Sequence, residues 1–404
     1  MTARGRAVLA LGVFCWVTAV VFGSRALYPV AAGLVLSLPL ALAWVRLSVR
    51  RPQVSRRWTP ENLLEGDEVA VELVLTRESG IPLPTVVAHE QIGRLGEQEV
   101  ELRPRGRGRY VGPYWLGQAV RGRHRFAPVR LSLADPFGLA EAELAVEEQQ
   151  ALVVYPRLVE LEQLFFDGGA GPNDGRRLLL RRPAGFELHS VRDHQQGESL
   201  RRVHWPSTAR RGSLMVKELE DSPRDEVAVL LDGDAAAMAG TSPDSAFDAA
   251  VRAAGSIIRA QIRRGRRCVL ALNTAGRETQ GIAADGPEWQ RALELLAAAE
   301  PDARTPAAAL LDSGVGPAAR SLELVVVTSR IEPALVNRLL ERALSRRPVA
   351  LVHVEPSSFA GTQRTPEPGL LRLQTAGVPV AVVQRGADLA AALAGAQPAE
   401  VAHA

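Results

Sequence analysis

The sequence predicts an α/β protein built on a mostly parallel sheet, preceded by a small antiparallel β-sandwich and an N-terminal pair of apolar helices. Three observations predict it: two long uncharged stretches open the chain, short period-2 runs fill residues 55–155, and buried-strand runs alternate with amphipathic stretches after residue 225. The 404-residue length leaves room for two or three domains. Hydrophobic residues make up 47% and charged residues 23%, which excludes a largely disordered chain and a coiled coil. A net charge of +3 excludes a global basic field of the kind nucleic-acid binders carry. Cys15 and Cys268 are the only cysteines, so a disulfide framework and a cysteine-based zinc site are excluded too.

From Ala7 to Phe22 there are 16 residues without a charge, and from Ala26 to Val45 there are 20. At 1.5 Å per helical residue the second run reaches about 30 Å, a bilayer core, and the first about 24 Å. Trp16 and Trp44 are candidate interfacial anchors. A secretory signal peptide is the alternative for the first run, but a second run follows at once and no A-x-A site is present. The expectation is a transmembrane hairpin over residues 1–46, with spans of about 7–24 and 26–45. Arg4 and Arg6 precede it, Arg46, Arg50, Arg51, Arg56 and Arg57 follow it, and Arg25 stands alone at the turn. Positive flanks stay inside, so the expected location is the cell membrane, two-pass, with both termini cytoplasmic.

In residues 55–155, Val69, Val71, Leu73 and Leu75 alternate with their neighbours, and Val129, Leu131 and Leu133 do the same against Arg130 and Ser132. Further short runs lie near Val86, Val100, Tyr110, Ala140 and Leu152. Six to eight such strands predict the sandwich. Residues 156–225 form a basic connecting segment, and residues 226–404 form the α/β domain. Its expected strands are Val227–Leu231, Cys268–Leu272, Leu322–Val327, Ala350–Val354 and Val378–Val383. Helices are expected over Ser245–Arg264, Trp289–Ala299, Pro333–Ser345 and Ala387–Ala394. Ligands in such folds bind beyond the carboxyl ends of the strands, which points to Asp232 and Asp234.

The connecting segment is dense in charge: residues 176–217 hold ten Lys/Arg against Glu187, Asp193 and Glu198. Within Gly185–Glu220, the residues Gly185, Glu187, Arg192, Gly197, Arg201 or Arg202, Trp205, Ala209, Arg210, Lys217 and Glu218 follow a spaced pattern. This pattern resembles that of the bacterial family known as domain of unknown function 58. Asp135-Pro136-Phe137-Gly138-Leu139, Val154-Tyr155-Pro156 and the N-terminal hairpin extend the resemblance over most of the chain. His194, Glu198, Leu188 and Thr208 depart from the usual Tyr, Asp, aromatic and Ser. Two readings of the motif stay open. In one, Arg192, Arg202 and Arg210 pair with Glu187, Glu198 and Glu218 while Trp205 fills a gap between domains. In the other, Glu187, Arg192, Gly197, Glu198, Arg202, Trp205, Arg210, Lys217 and Glu218 form an interaction surface whose Arg forks take anionic groups. Lys217, the only lysine of the chain, lies inside the motif.

The region after the motif resembles a von Willebrand factor A domain, which implies a Rossmann-like sheet and a divalent-ion site. Such a site converges about six oxygens. Here Asp232-Gly233-Asp234-Ala235-Ala236 lacks one hydroxyl, Thr305 stands for a later threonine, and Thr328-Ser329 replaces a Thr-Asp element. A degenerate site of Asp232, Asp234 and Thr305 for Mg²⁺ is therefore carried as a secondary expectation, with no cofactor as the primary one. No G-x-x-x-x-G-K-[ST], H-E-x-x-H or G-x-S-x-G motif is present, so no catalytic residue is expected. His189, His194 and His204 have no zinc-type spacing, and the Arg-rich stretches 103–109 and 121–130 lack interleaved aromatics. The resemblance implies a non-enzymatic, membrane-anchored cytoplasmic scaffold. Its expected partners are the lipid bilayer, a MoxR-type AAA+ ATPase and other membrane proteins, with no nucleic acid. Two alternatives remain open: an ion-dependent ligand-binding module of von Willebrand factor A type, and an enzyme using Glu187, Glu198 and His194.

Overall fold

The computed structural model describes residues 1–48, 52–78, 85–106, 108–167, 187–193, 203–220, 226–283, 285–312, 316–363 and 366–395 (Thr85, 187–193 and 216–220 as backbone). The chain divides into two compact units, Met1–Arg157 and Leu158–Ala404.

The first unit opens with two helices, α1 (Ala3–Phe22) and α2 (Leu27–Ser48). Both are long and apolar enough to cross a membrane. Thr2 caps α1, its hydroxyl accepting the Gly5 N–H, and Gly23 ends the helix in the left-handed region at φ 63°. The helices run antiparallel in close contact. A Cβ on Gly12 would lie 3.0 Å from Leu34 and Val35, so glycine is what permits the approach.

Ten strands follow: β1 (Gln53–Thr59), β2 (Leu63–Leu64), β3 (Glu68–Thr76), β4 (Thr85–Ile92), β5 (Gly96–Pro104), β6 (Arg109–Gln118), β7 (Gly122–Arg125), β8 (Val129–Ala134), β9 (Glu141–Val146) and β10 (Ala151–Tyr155). Seven form one antiparallel sheet in the order β1-β3-β6-β5-β4-β8-β9, and β2-β10-β7 make a small second sheet. The sandwich expected for residues 55–155 is thus corrected to one large sheet curled into a half-barrel. Its curl can be measured. Three strands separate β1 from β4, which in a flat sheet would be about 19 Å. Yet Arg56 Nε on β1 lies 2.7 Å from Glu90 Oε1 on β4. The alternating residues Val69, Val71, Leu73, Val86, Ala88, Leu131 and Leu133 line the enclosed side. A period-2 pattern specifies a half-buried strand; it does not say whether a second sheet or the same sheet curling back covers it.

Inside the curl lies a buried polar cluster. The Tyr114 hydroxyl donates to the second oxygen of Glu90, and the Arg56 guanidinium lies 4.3 Å from the Phe126 ring centre. Burial, then the adjacent Glu90 carboxylate, pushes the Tyr114 phenol far up from its ordinary value.

The turn between β8 and β9, Asp135–Leu139, ties the sheet to α1. Asp135 accepts the N–H groups of Phe137 (2.8 Å) and Ala140 (2.6 Å), and Gly138 takes φ 66°. Thr2 then donates its hydroxyl to Gly138 O (2.7 Å) and its N–H to Leu139 O (3.2 Å).

In the second unit, β11 (Glu187–Asp193) and β12 (Met215–Glu220) pair antiparallel, flanking helix α3 (Trp205–Arg211). A six-stranded sheet follows, made of β13 (Glu226–Asp232), β14 (Arg267–Asn273), β15 (Thr279–Ile282), β16 (Glu323–Thr328), β17 (Val349–Val354) and β18 (Val380–Val383). The order is β15-β14-β13-β16-β17-β18. The five parallel strands lie on the apolar runs, but β15 pairs antiparallel with β14. The sheet is therefore mixed, and the expected Rossmann-like von Willebrand factor A fold with its mostly parallel sheet is corrected accordingly. The cause is local: the link Thr274–Glu278 is far too short for a crossover helix, so the next strand must fold back. Thr279-Gln280-Gly281-Ile282 is short and half-polar, which hides it from a search for apolar runs.

Removing Glu90 takes from the buried Arg56 its nearest carboxylate and leaves Glu148, 3.7 Å away and partly exposed. Glu90→Ala should lower unfolding free energy by about 3–5 kcal/mol. Breaking the exposed Arg130–Glu97 pair should change it by under about 1 kcal/mol. Urea unfolding of the detergent-solubilised chain, followed by tryptophan fluorescence, checks both.

Candidate functional site

Two places carry the residues singled out in the sequence: the motif hairpin, and the carboxyl end of the six-stranded sheet.

In the hairpin, backbone register sets Arg192 opposite Val216, Val191 opposite Lys217, Ser190 opposite Glu218 and Glu187 opposite Glu220, with a bulge between Leu188 and Ser190. The fold thus brings the two ends of the motif, Glu187 and Arg192 with Lys217 and Glu218, into one ladder. Gly185, His194, Gly197, Glu198, Arg201 and Arg202 lie outside the described residues. Between the strands, Pro206 sits in the first turn of α3 and Gly212 closes it at φ 73°. Two bonds hold the helix to β12: His204 N–H donates to Met215 O (2.8 Å) and Met215 N–H donates to Thr208 Oγ1 (3.0 Å). Within the first turn, His204 Nδ1 lies 2.8 Å from Ser207 Oγ. Met215 and Val203 are buried beneath.

This geometry bears on three sequence expectations. Thr208 departs from the family's Ser, yet the hydroxyl is what the fold uses, so that substitution retains the bond. His204 is engaged with Ser207. Trp205 is 64% exposed, with Arg210 and Arg211 also exposed on the same short helix. An exposed Trp beside two Arg is the composition that concentrates binding energy at protein interfaces.

At the sheet's carboxyl end, β13 finishes at Asp232, flanked by Asn273 of β14 and Thr328 of β16. Asp232 is 7% exposed. Its Oδ1 accepts from Asn273 Nδ2 and its Oδ2 from Thr328 Oγ1, both at 2.7 Å. Asn273 Nδ2 also donates to Thr305 O (3.0 Å). Asp234 accepts from Arg330 Nη1 (2.8 Å) and from Ala236 N–H (2.9 Å), while Thr305 Oγ1 accepts from Arg277 Nη2 (2.9 Å). Burial raises the Asp232 carboxyl above the usual aspartate range, against the opposing bonds from Asn273 and Thr328.

The fold therefore collects Asp232, Asp234 and Thr305 at one end of the sheet, where the sequence reading placed them. Their side-chain oxygens, however, already face the chain's own donors. A divalent ion would have to displace Asn273 and Thr328 and sit beside two guanidinium groups, so the residues present do not fit it. Asn273, Arg277 and Arg330 were missed in the sequence. Asn273, a polar residue ending an apolar run beside Asp232, was the one legible signal. A larger cavity of about 420 Å³ lies at the opposite, amino end of the sheet, lined by Arg266, Glu323, Arg346 and Arg347 among others.

Residues 190–382, from β11 through most of β18, match the family described as protein of unknown function DUF58. The chain is 26% identical to the uncharacterized protein YeaD of Bacillus subtilis (strain 168) over 303 residues, 72% of this chain and 73% of that one. Among solved structures, the putative ApaA protein from Bordetella pertussis is matched at 16% identity and a TM-score of 0.18, over 26% of this chain and 91% of that one. Cwp6 from Clostridium difficile is matched at 6% identity and a TM-score of 0.16, over 74% and 37%. Neither likeness bears on the fold at those scores.

Asp232 holds its proton more tightly folded than unfolded. Its contribution to stability is thus full below the ordinary aspartate range and lost as pH rises through the raised value. Between about pH 4 and 8, the melting temperature of wild type should fall relative to that of Asp232→Asn. Parallel melts of the two proteins across that range test this, and identical pH profiles would contradict it.

Proposed function

We propose that this protein is a membrane-anchored, non-catalytic adaptor that works by binding other proteins through its motif hairpin. The observation that carries the proposal is the exposed α3 face, Trp205 with Arg210 and Arg211, held rigid by Thr208 and His204. A large aromatic left in water costs solvation, and a rigid mount lowers the entropy lost on docking. Arg forks beside it suit carboxylate or phosphate groups on a partner. The apolar helices α1 and α2 supply the anchor. The basic flanks Arg4, Arg6 and Arg46 favour a cytoplasmic placement of both ends.

The resemblance to the domain of unknown function 58 family suggests a MoxR-type AAA+ ATPase as the partner, in assembly or maturation of protein complexes or the cell envelope. Such an ATPase would supply the energy that this chain, without a phosphate-binding loop, has no evident means of drawing from ATP. Ion-dependent ligand binding is not favoured, because the oxygens of Asp232, Asp234 and Thr305 already face the chain's own donors; His194 and Glu198 lie outside the described residues.

Detergent-solubilised wild-type protein should retain the AAA+ ATPase from its own organism on an affinity matrix. Trp205→Ala and Arg210→Glu should each weaken retention at least tenfold, about the 1.4 kcal/mol of a modest hot-spot residue. Undiminished retention by both variants would move the interface elsewhere. Failure of wild type to retain the ATPase would reject that partner.

A further inference from the structure

We infer that the Asp135–Leu139 turn is a membrane-contacting foot, with Phe137 inserted into the headgroup layer of the bilayer that α1 and α2 enter. The inference rests on the membrane anchoring proposed above and adds a second lipid contact outside the helices.

Phe137 is 77% exposed, beside the exposed Pro136, on a turn whose remaining members are committed. Asp135 is buried and accepts two backbone N–H groups, and Leu139 packs into the core of the curled sheet. Gly138 supplies the left-handed residue, with Arg4 nearby: Nη1 would lie 3.7 Å from a Cβ placed there. The turn therefore presents the ring outward on a rigid support. A mobile loop could bury an exposed ring by collapsing onto the surface, and these bonds prevent that.

The height of the turn along the helices follows from the helix packing. Gly12 lies against Leu34 and Val35. In an antiparallel pair, ten residues back along α1 correspond to about ten onward along α2, so Thr2 stands level with about Trp44. Thr2 is bonded directly to Gly138 and Leu139, which fixes the turn at that same level. The uncharged run of α1 starts at Ala7, about 7 Å deeper along the helix axis. That distance is roughly the thickness of one headgroup layer. Phe137 thus shares its level with Trp44, a residue type that favours this layer. Arg4, Arg6 and Arg46 stand around the same level, with guanidinium groups suited to lipid phosphates. A lipid interface explains an outward aromatic beside these cations.

Nitroxide labels at single cysteines in the full chain test this, with Cys15 and Cys268 replaced by alanine. The variants are Phe137→Cys, Leu36→Cys on the exposed face of α2, and Glu99→Cys on an exposed strand position. They are reconstituted into phosphatidylcholine–phosphatidylglycerol vesicles, and collisions with oxygen and with a water-soluble nickel chelate are compared. The oxygen-to-nickel ratio should be highest at position 36 and lowest at 99. At 137 it should stand several-fold above 99. A label at 137 matching 99, with 36 in lipid, overturns the foot and leaves the anchor intact. A label at 137 shielded from both reagents overturns it in favour of a protein contact. A water-exposed label at 36 removes the anchor itself, and the foot with it.

Discussion

The Arg56–Glu90 contact decides the shape of the first unit. It joins two strands that lie three strands apart in the hydrogen-bonded order, so it forms only when the sheet has curled. Curling turns one face of seven strands into an interior, where Val69, Leu73, Val86 and Leu131 can share one core. A buried ion pair adds little net stability against an apolar substitute, but it penalises every geometry that separates its members. Tyr114 on β6 fills the remaining capacity of Glu90, so three distant strands are held to one curvature. That curvature also fixes the β8–β9 edge, and through the Asp135–Leu139 turn it fixes where α1 begins.

The second unit shows the same economy at its carboxyl end. In many α/β folds that end is left open for a ligand. Here Asp232 is closed over by the ends of both neighbouring strands, and Asp234 by Arg330. Charge is balanced within the chain, which leaves little reason to recruit an ion. Exposed chemistry lies instead on the short helix of the motif, where Trp205 is presented outward by a hydroxyl-to-backbone bond and a buried methionine.

Much of this architecture was legible in the residues. The two apolar helices, the period-2 strands and the five parallel strands of the second sheet sit where the patterns place them, because those patterns report burial directly. Asp232 was legible as a strand-end carboxylate. Its partner Thr328, on a strand 96 residues away, was not, and neither was Arg330, which follows Thr328 and pairs with Asp234. For Trp205 the sequence left a gap-filling and a surface role open; the structure exposes it at the start of the short helix Trp205–Arg211. The antiparallel β15 was lost because four half-polar residues leave no periodic signal.

By itself, then, the sequence determined the elements, their apolar faces, the motif and the class it resembles, since each depends on residues near one another along the chain. Tertiary structure decided whether strands form a sandwich or a single curl, whether the last sheet is parallel or mixed, and whether Asp232 is open or closed over. The physical reason is common to all three. Each depends on contacts such as Arg56 with Glu90, or Asp232 with Thr328, between residues whose separation in sequence carries no periodic trace.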